Sequence, residues 1–258
     1  MKQPEWRHLE VTENSGAMNM AIDEAILAEV DAGNAPPTFR LYGWSPPCIS
    51  LGHSQKPERE LNLDRVKDLG YDVVIRATGG RAVLHIDELT YSVIAANDSE
   101  TWCGTQAESY RMISGALAEA ILGSGIGVTL DRGYLIEKPV DHRAMTPCFS
   151  STARSEVVFG NRKVVGSAQR RLRKSFLQHG SILVSREHRN IVNCLKLDLD
   201  KHAGYLKILD ENAISLEEAF GKSLSWKQLA EGFSGRFAKA LGIEFASRTS
   251  KNGVVQNA

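Results

Sequence analysis

Short β-rich runs fill the middle of this 258-residue sequence, and several of the segments between them are too short to hold a crossover helix. The runs 156–159 and 163–166 flank Gly160-Asn161, which is typical of a hairpin with a two-residue turn. Residues 78–80, Thr-Gly-Gly, predict a second tight reversal. The predicted strands are 38–42, 48–51, 72–76, 81–85, 89–95, 156–159, 163–166 and 176–184. Strands joined by such turns pair antiparallel, so we expect a mixed, largely antiparallel sheet.

Helical patterns precede, interrupt and follow these strands. The apolar spacing predicts helices over 17–30, 107–122 and 226–241, the last ended by Gly242. Strands clustered in the middle of a chain, with helices on both sides, favour an α+β layer architecture over a doubly wound Rossmann sheet. Because the sequence contains no repeat, low-complexity tract or linker, we expect residues 1–258 to form a single domain.

Charge and hydropathy exclude several classes of partner. Lys and Arg together number 31, as do Asp and Glu, so the formal net charge is 0. A neutral chain has no overall field to attract it to nucleic acid or to an anionic membrane, and we expect neither as a partner. The longest mostly apolar runs, such as 71–75 and 91–96, are far shorter than the ~20 residues of a membrane span. Glu5, Arg7 and Glu10 interrupt any apolar leader, so we predict a cytoplasmic protein.

The four cysteines, Cys48, Cys103, Cys148 and Cys194, are widely separated in the sequence. They form neither a C-x-x-C pair nor the ligand spacing of a zinc site, so we expect no metal centre and no disulfide framework. Cys148 differs from the others because it lies in 131–152, a long irregular stretch with proline and glycine breakers. Such stretches in a compact domain are usually functional. Cys148 is therefore either a small buried side chain or a working thiol.

Two glycines stand between apolar strands in the segment from Arg76 to His85. Backbone N–H groups at Gly79 and Gly80 can approach a ligand closely. Arg76 and Arg81, on either side of them, can pair with a phosphate or a carbonyl oxygen. The spacing matches neither the P-loop nor the dinucleotide-binding glycine pattern, and a plain hairpin turn explains the same residues.

Two histidines, His85 and His179, lie within largely apolar runs, which fits either a satisfied core histidine or a binding residue. Gly180 follows His179 and interrupts the strand 176–184. A glycine inside a strand indicates a bulge or a backbone pressed against a ligand. The stretch 178–181 is therefore a candidate binding surface.

The run from Lys163 to Lys174 combines a lysine at the start of a strand with positive charge at its end. Lys163 directly precedes Val164 and Val165, so its stem should lie against the sheet with its ammonium near the interior. Burial can turn a lysine into a base, whereas an ordinary exposed hairpin lysine is the alternative. The basic cluster comprises Arg170, Arg171, Arg173 and Lys174. It is either a solvated turn or a docking patch for an acidic partner.

Five blocks of residues stand out when the motifs are taken in order. They are Asn19 to Ala25, Phe39 to Trp44, Arg76 to His85 with Glu88 to Ser92, Lys163 to Gln169, and Gln178 to Leu183. Together they resemble the superfamily of lipoate and octanoate protein ligases and transferases. The resemblance implies a catalytic domain similar to that of biotin protein ligases. It also implies an enzyme that attaches an octanoyl or lipoyl group to the ε-amine of a lipoyl-domain lysine.

Two features of the resemblance favour transfer over ATP-dependent ligation. The pair Cys148-Phe149 resembles the Cys-Phe of cysteine-dependent octanoyltransferases, which precedes the block that begins here at Lys163. Residues 79–81, Gly-Gly-Arg, stand where the ligases more typically have three glycines, and we expect no separate C-terminal accessory domain. The resemblance thus implies an octanoyltransferase of lipoate biosynthesis. Its donor would be octanoyl-acyl carrier protein, and its acceptor a lipoyl domain of the glycine cleavage H protein or of a dehydrogenase E2 subunit.

The resemblance and the residue patterns together define a candidate site. Cys148, as the thioester-forming nucleophile, and Lys163, as its acid–base partner, are the predicted catalytic pair, and no ATP, metal or other cofactor is expected. The predicted substrate-binding residues are Arg76, Gly79, Gly80, Arg81, His85, Gly166, Ala168, Gln169, His179 and Gly180. The residues expected to wall an apolar slot for the acyl chain are Val83, Leu84, Val165, Gly166 and Ala168. The basic cluster is expected to dock the acidic carrier, and backbone N–H groups near Gly79 or Cys148 to hold the oxyanion.

Three other functions stay open at this point. An ATP-dependent lipoate or octanoate ligase would use Lys163 to contact an acyl-adenylate and would leave Cys148 without a role. An octanoyl amidotransferase would apply the same cysteine chemistry between two lipoyl domains. A non-catalytic lipoyl-domain-binding relative would have no need of the catalytic pair.

Overall fold

A computed structural model describes residues 5–97, 102, 104–131 and 155–246 of the chain. The strands in this part are β1 (Arg7–His8), β2 (Thr12–Asn14), β3 (Thr38–Trp44), β4 (Cys48–Leu51), β5 (Asp72–Ile75), β6 (Val83–His85), β7 (Glu88–Ala96), β8 (Thr129–Leu130), β9 (Val157–Phe159), β10 (Arg162–Lys163), β11 (Val165–Arg171) and β12 (Ser175–Leu183). The helices are α1 (Gly16–Ala32), α2 (Pro57–Glu60), α3 (Leu63–Asp68), α4 (Gln106–Leu122), α5 (Leu199–Asn212), α6 (Leu216–Phe220), α7 (Trp226–Ala230) and α8 (Phe233–Leu241), with a 3₁₀ helix at Arg186–Cys194. Every predicted strand overlaps an observed one.

The main sheet has the strand order β1-β3-β7-β12-β11, with β2 also paired to β3. The pairs β3–β7, β7–β12 and β12–β11 are antiparallel, whereas β1 and β2 run parallel to β3. The short turn 172–174 joins β11 to β12, and only antiparallel neighbours can share so short a connection. This mixed, largely antiparallel sheet, with its helices, confirms the predicted α+β fold.

Two three-stranded sheets accompany the main sheet, in the orders β5-β4-β6 and β10-β9-β8. Phe159 lies opposite Arg162 in the β9–β10 pair, so Gly160-Asn161 form the predicted two-residue turn. The reversal predicted at residues 78–80 is wrong as a hairpin. Strand β5 runs parallel to β4 along one edge of it, and β6 runs antiparallel along the other.

The segment 76–82 instead crosses the end of β4. It can do so because Gly52 has no side chain: a Cβ there would meet the Gly80 carbonyl oxygen at 2.2 Å. The His53 N–H donates to the Thr78 carbonyl oxygen at 3.0 Å and holds the crossing. Gly79 and Gly80 therefore lie where the backbone of the segment 76–82 closely approaches the backbone at Gly52.

The two long helices pack on opposite faces of the main sheet. Successive side chains of β7 point to opposite sides, so Ile94 packs with Ile26 of α1 while Val93 packs with Ile113 of α4. Both helices begin at capping residues. Ser15 accepts a hydrogen bond from a backbone N–H of the first turn of α1, and a reciprocal capping box begins α4.

The helix predicted over 226–241 is two helices, α7 and α8. Gly232 between them has φ 68°, in the left-handed region, which ends one helix before the next begins. The apolar periodicity continues across this break because α7 and α8 pack against the same hydrophobic core, in which α8 buries Phe233 and Phe237. No helix among the described residues combines the length and apolarity that crossing a membrane requires.

His188, in the 3₁₀ helix Arg186–Cys194, should make the stability of the fold depend on pH. Burial lowers the pKa of His188 to about 4, because the charged ring would lose its hydration. In the unfolded chain a histidine takes up its proton near pH ~6.5, so the stability is complete above that pH and falls as the pH drops toward 4. Urea unfolding over this range should show a loss of about 3 kcal/mol from His188. His188→Gln should flatten the dependence, and an unchanged slope would contradict the assignment.

Candidate active site

A pocket with an empty volume of about 430 Å³ lies where α1, the main sheet and the small sheet β5-β4-β6 meet. Its lining comprises Met20, Tyr42, Trp44, Ser50, Arg76, Val83, His85, Thr90, Gly166, Ser167, Ala168, His179, Gly180 and Ser181. The predicted substrate-binding residues among them are Arg76, His85, Gly166, Ala168, His179 and Gly180. The fold therefore brings together residues that are far apart in the sequence, around one cavity.

Some of the predicted binding residues face elsewhere. Gln169 points toward α4, where its Nε2 donates to Ser109 Oγ at 3.1 Å. Leu84 and Val165, predicted to wall the acyl slot, are instead fully buried in two hydrophobic clusters. Of the predicted apolar wall, only Val83, Gly166 and Ala168 line the pocket.

The Arg76 guanidinium holds the glycine segment beside the pocket. It donates to the carbonyl oxygens of Ser50, Gly79 and Arg81 at 2.8, 2.9 and 2.7 Å. A further hydrogen bond reaches Ser50 Oγ at 3.0 Å. Arg76 itself lines the pocket. The pocket lining does not include Gly79, Gly80 or Arg81, and the hydrogen bonds from Arg76 hold this neighbouring segment in place.

His85 is held on three sides. Its Nδ1 lies 2.7 Å from Glu88 Oε1, and its Nε2 lies 2.7 Å from Ser50 Oγ. The Trp44 ring stacks on the imidazole, with ring centroids 4.0 Å apart and planes 11° apart. The Thr90 hydroxyl donates to Glu88 Oε1 at 2.6 Å. His85 is therefore both a satisfied core histidine and a pocket residue, and its partners Ser50 and Glu88 were missed by the sequence analysis.

Asp23 of α1 is a fully buried carboxylate with partners on several elements. Arg40 Nη1 donates to its Oδ1 at 2.8 Å, and the Tyr42 hydroxyl donates to its Oδ2 at 3.0 Å. His179 Nδ1 lies 3.3 Å from the same Oδ2. The other ring nitrogen, Nε2, lies 2.7 Å from Thr78 Oγ1. Asp23 thereby links α1 to the pocket wall and, through His179, to the segment 76–82.

Protonation in this network follows from burial and charge. Burial raises the pKa of Asp23, but the hydrogen bond from His179 and the charge of Arg40 outweigh it, so the pKa is lowered overall. Burial lowers the pKa of His179. A neutral imidazole has one N–H, which His179 donates to the ionised Asp23, leaving Nε2 to accept from the Thr78 hydroxyl.

Lys163 is buried, which decides between the two readings left open by its position before two valines, and its Nζ lies 2.8 Å from Glu156 Oε1. Glu156 is buried as well, and the Tyr110 hydroxyl donates to the same carboxylate oxygen at 3.4 Å. The contact is an ammonium–carboxylate ion pair on the side of the sheet that carries α4. Lys163 itself is not part of the pocket lining, whereas Gly166, further along the same chain segment, is.

Cys48 and Cys194 are described thiols, and both are buried. Burial raises the pKa of the Cys194 thiol to about 11 and raises that of Cys48 well above its ordinary value. Neither is a thiolate at neutral pH. The predicted nucleophile Cys148 lies outside the described residues, as does Cys103. Among the residues that are described, no group of three or more His, Cys, Asp or Glu side chains could hold a metal ion.

The basic cluster separates into two parts. Arg170, Arg173 and Lys174 are exposed around the turn between β11 and β12. Arg171 turns the other way, and its Nη2 donates to Ser109 Oγ of α4 at 2.9 Å. Arg171, predicted as a docking residue, is therefore part of the packing between β11 and α4, which leaves three exposed cations at this turn.

Gly180 lies in continuous register between Tyr91 of β7 and Ser167 of β11, so it forms no bulge. A Cβ at Gly180 would meet the Gly166 carbonyl oxygen at 2.3 Å. Gly180→Ala should force β11 away from β12 and lower the free energy of unfolding by about 1–3 kcal/mol.

Gly115→Ala in α4 is the matched control, because nothing lies within 4 Å of a Cβ there. Alanine at that helical position should stabilise the protein by about 0.5–1 kcal/mol. Urea unfolding of both variants measures the contrast, and equal effects would contradict the close approach at Gly180.

The sequence matches the family model of the lipoyl protein ligase A/B catalytic domain over residues 15–238. Octanoyltransferase LipM of Kyrpidia tusciae is 38% identical to it over 242 residues, covering 92% of this chain and 87% of that protein. Octanoyltransferase LipM of Moorella thermoacetica is 38% identical over 241 residues, covering 93% of this chain and 88% of that protein.

Solved structures agree on the fold. A bipartite lipoate protein ligase from Thermoplasma acidophilum has a TM-score of 0.75 and 22% identity, covering 94% of this chain and 86% of that chain. A lipoate-protein ligase A bound with ATP has a TM-score of 0.68 and 23% identity, covering 94% and 87%. The family model and the LipM relatives establish that the chain belongs to the lipoyl protein ligase A/B catalytic domain family, as an acyltransferase of the octanoyltransferase type.

Proposed function

We propose that this chain moves an octanoyl group from the thioester of an acyl carrier protein, through a Cys148 acyl-enzyme, to a lipoyl-domain lysine. The observation that carries the proposal is 38% identity to octanoyltransferases over more than nine-tenths of the chain. The resemblance of Cys148-Phe149 to the Cys-Phe of cysteine-dependent transferases supports the covalent intermediate. A place in lipoate biosynthesis and a cytoplasmic location belong to the same proposal.

The pocket suits a medium-length acyl chain. Met20, Trp44, Val83 and Ala168 give it an apolar wall. An octanoyl chain carries roughly six methylenes, and burying each contributes ~0.8 kcal/mol, so the chain alone contributes about 5 kcal/mol to binding. This dependence on buried length gives the enzyme a means of selecting octanoyl over shorter groups.

The residues that flank the segment carrying Cys148 lie close together, next to Glu156. The Asp131 N–H donates to the Glu156 carbonyl oxygen at 2.8 Å, so the described residues on either side of 132–154 are hydrogen-bonded neighbours. The Glu156 side chain binds Lys163. Cys148 precedes Glu156 by eight residues in the sequence, a length of chain that can span at most about 28 Å when fully extended, and this limit is consistent with the proposed pairing of Cys148 with Lys163.

The ammonium of the Lys163–Glu156 ion pair can donate and then take back the proton that the transfer requires. A thiol of ordinary pKa is only a few per cent ionised at neutral pH, and a nearby ammonium favours its thiolate. The Cys148 thiolate attacks the thioester carbonyl, and the Lys163 ammonium gives its proton to the departing carrier thiolate. The acceptor lysine then attacks the acyl-enzyme, neutral Lys163 takes the proton that this amine loses, and Cys148 leaves as a thiolate. Both residues return to their starting state.

Lipoyl domains are the proposed acceptors, on the glycine cleavage H protein or on dehydrogenase E2 subunits. The similar Thermoplasma ligase belongs to a lipoylation system with an E2 lipoyl domain.

The proposed donor, an acidic carrier protein, should dock on the exposed cations Arg170, Arg173 and Lys174. Replacing Arg170 and Lys174 by Glu should lower the rate of carrier-dependent acylation by roughly tenfold at low salt, with a smaller effect as ionic strength rises. Initial rates with octanoyl carrier protein measure this. A small octanoyl thioester lacks the acidic surface and serves as the control substrate, and an unchanged rate with the carrier would contradict the docking surface.

Intact-mass spectrometry after mixing with octanoyl carrier protein tests the proposed function. We expect the mass of one octanoyl group, absent in Cys148→Ala and retained in the matched variants Cys48→Ala, Cys103→Ala and Cys194→Ala. Acylation of a lipoyl domain that needs ATP and free octanoate, with no adduct on Cys148, would identify a ligase instead. An adduct obtained only from an octanoylated lipoyl domain would identify an amidotransferase.

A further inference from the structure

We infer that Ser50, His85 and Glu88 form a second reactive centre in the pocket, a triad that hydrolyses medium-chain acyl esters. This activity goes beyond the proposed transfer, and it does not use Cys148.

The three side chains are connected as nucleophile, base and orienting acid. Ser50 Oγ lies 2.7 Å from His85 Nε2, and His85 Nδ1 lies 2.7 Å from Glu88 Oε1. Both distances are within the ~2.6–3.2 Å that a nucleophile, its base and the group orienting the base require. In the tautomer whose Nδ1–H faces Glu88 Oε1, Nε2 is the nitrogen that can take the Ser50 proton.

Packing holds the triad in this geometry. The Trp44 ring stacks on His85 at a centroid distance of 4.0 Å and fixes the plane of the imidazole. The hydroxyls of Thr90 and Ser181 donate to Glu88 Oε1 at 2.6 and 2.8 Å and fix the carboxylate. Side chains locked in this way need little reorganisation when the reaction occurs.

Glu88 is arranged to stabilise a positive charge on His85. Its second oxygen, Oε2, is buried and has no hydrogen-bond partner among the described residues. A buried carboxylate with an unsatisfied oxygen is poorly solvated, so it interacts strongly with a neighbouring cation. The imidazolium that forms when Ser50 loses its proton is such a cation.

Arg76 supplies a donor for the oxyanion. One Nη1–H donates to Ser50 Oγ at 3.0 Å, while other N–H groups of the guanidinium are held by the carbonyls of Ser50, Gly79 and Arg81. These carbonyls fix the guanidinium beside the nucleophile. A tetrahedral carbon bonded to Ser50 Oγ brings its oxyanion next to the same Nη1–H, where a charged donor stabilises it.

The triad faces the cavity that suits an acyl chain. Ser50, His85 and Arg76 line the pocket together with the apolar side chains of Met20 and Val83. A carbonyl at the head of a bound medium-length chain is therefore presented to Ser50. The substrate class is an acyl ester whose chain fills the pocket.

The reaction balances with water as the only co-reactant. Ser50 Oγ bonds to the acyl carbon as its proton passes to His85 Nε2, and the leaving alcohol departs with that proton, giving an octanoyl-Ser50 ester. Water then attacks this ester and gives a proton to His85. The proton returns to Ser50 Oγ as octanoic acid leaves, and the acid then loses the second water proton to the solvent.

Hydrolysis of 4-nitrophenyl octanoate by Cys148→Ala protein tests the inference, because that background removes the proposed transfer nucleophile. We expect multiple turnovers, and a rate at least about 100-fold lower when Ser50→Ala is added. Ser54→Ala in the same background is the matched control and should keep the rate, since Ser54 is exposed and outside the pocket lining. Retained hydrolysis without octanoyl transfer separates the two activities.

An octyl fluorophosphonate gives a second measurement that does not need a Ser50 variant to fold. The Ser50 hydroxyl attacks phosphorus and fluoride leaves, so peptide mass spectrometry of the Cys148→Ala protein should locate the phosphonate on residue 50. Absence of that adduct overturns the triad, as does an equal hydrolysis rate with and without Ser50→Ala.

Discussion

Lys163→Met should lower the rate of octanoyl transfer by about 10³-fold, within the ~10²–10⁴ that general acid–base catalysis contributes. Methionine keeps much of the length of the buried side chain but carries no proton. The departing carrier thiolate then has no acid, and the acceptor amine has no base. Single-turnover transfer from octanoyl carrier protein to a lipoyl domain measures the loss.

Stability must be separated from catalysis in this experiment. Removing Lys163 takes away the ammonium that binds the buried Glu156 carboxylate, and breaking a buried ion pair costs about 3–5 kcal/mol. The double variant Lys163→Met with Glu156→Gln removes both charges. We expect urea unfolding to show most of the stability restored, while transfer stays slow. Recovery of transfer along with stability would contradict an acid–base role for Lys163.

Arg40→Met should lower the free energy of unfolding by about 3–5 kcal/mol. Arg40 and Asp23 are each 1% exposed at the side chain, and their charged atoms are 2.8 Å apart. Arg40 also donates to the Asn19 carbonyl oxygen at 3.2 Å and to Asn19 Oδ1 at 2.6 Å. Without the guanidinium, Asp23 is a buried charge whose main compensating cation is gone. Urea unfolding at neutral pH measures the change.

An exposed ion pair provides the control for the Arg40 experiment. Lys201 and Asp198 are 57% and 73% exposed at the side chain, with charged atoms 2.6 Å apart. Lys201→Met removes the same charge as Arg40→Met but should change the stability by less than about 1 kcal/mol, because water solvates both states. A second variant, Arg40→Met with Asp23→Asn, should recover part of the loss. A loss below 1 kcal/mol for Arg40→Met alone would contradict an ionised Asp23.

The strands and the hairpin at Gly160-Asn161 could be predicted because their signals are local. Apolar runs of strand length and a two-residue turn are readable in a short window of sequence. The crossing at 76–82 could not be read in this way. Two adjacent glycines can form a hairpin or cross a neighbouring strand, and here the presence of β4 decides between these two paths. The residue that marks the crossing in the sequence is Gly52, because its lack of a side chain leaves room for the Gly80 carbonyl.

The sequence analysis missed the buried polar network around Asp23 and Arg40 for a related reason. Arg40 stands between the buried residues Phe39 and Leu41, so the sequence shows a charge inside an apolar strand. Such a charge requires a buried partner, but the sequence does not say which acid supplies it. Asp23, on α1, becomes that partner only when the helix packs on the sheet.

The side of a strand on which a residue points was the other source of error. Val83 and Leu84 are adjacent and similar in type, yet only Val83 lines the pocket. A register shifted by one residue exchanges such assignments, and composition alone does not fix the register. Gly180 is less ambiguous, because it was singled out by what its backbone permits rather than by a side chain's direction.

The hydrogen bond between the Asp131 N–H and the Glu156 carbonyl has an evolutionary consequence. It joins the described residues on the two sides of 132–154, and the entropy of closing a loop rises by only ~0.6 kcal/mol for each doubling of its length. We therefore expect that relatives of this chain can differ in the number of residues between positions 131 and 156 at little cost in stability, provided that the cysteine keeps its reach to Lys163.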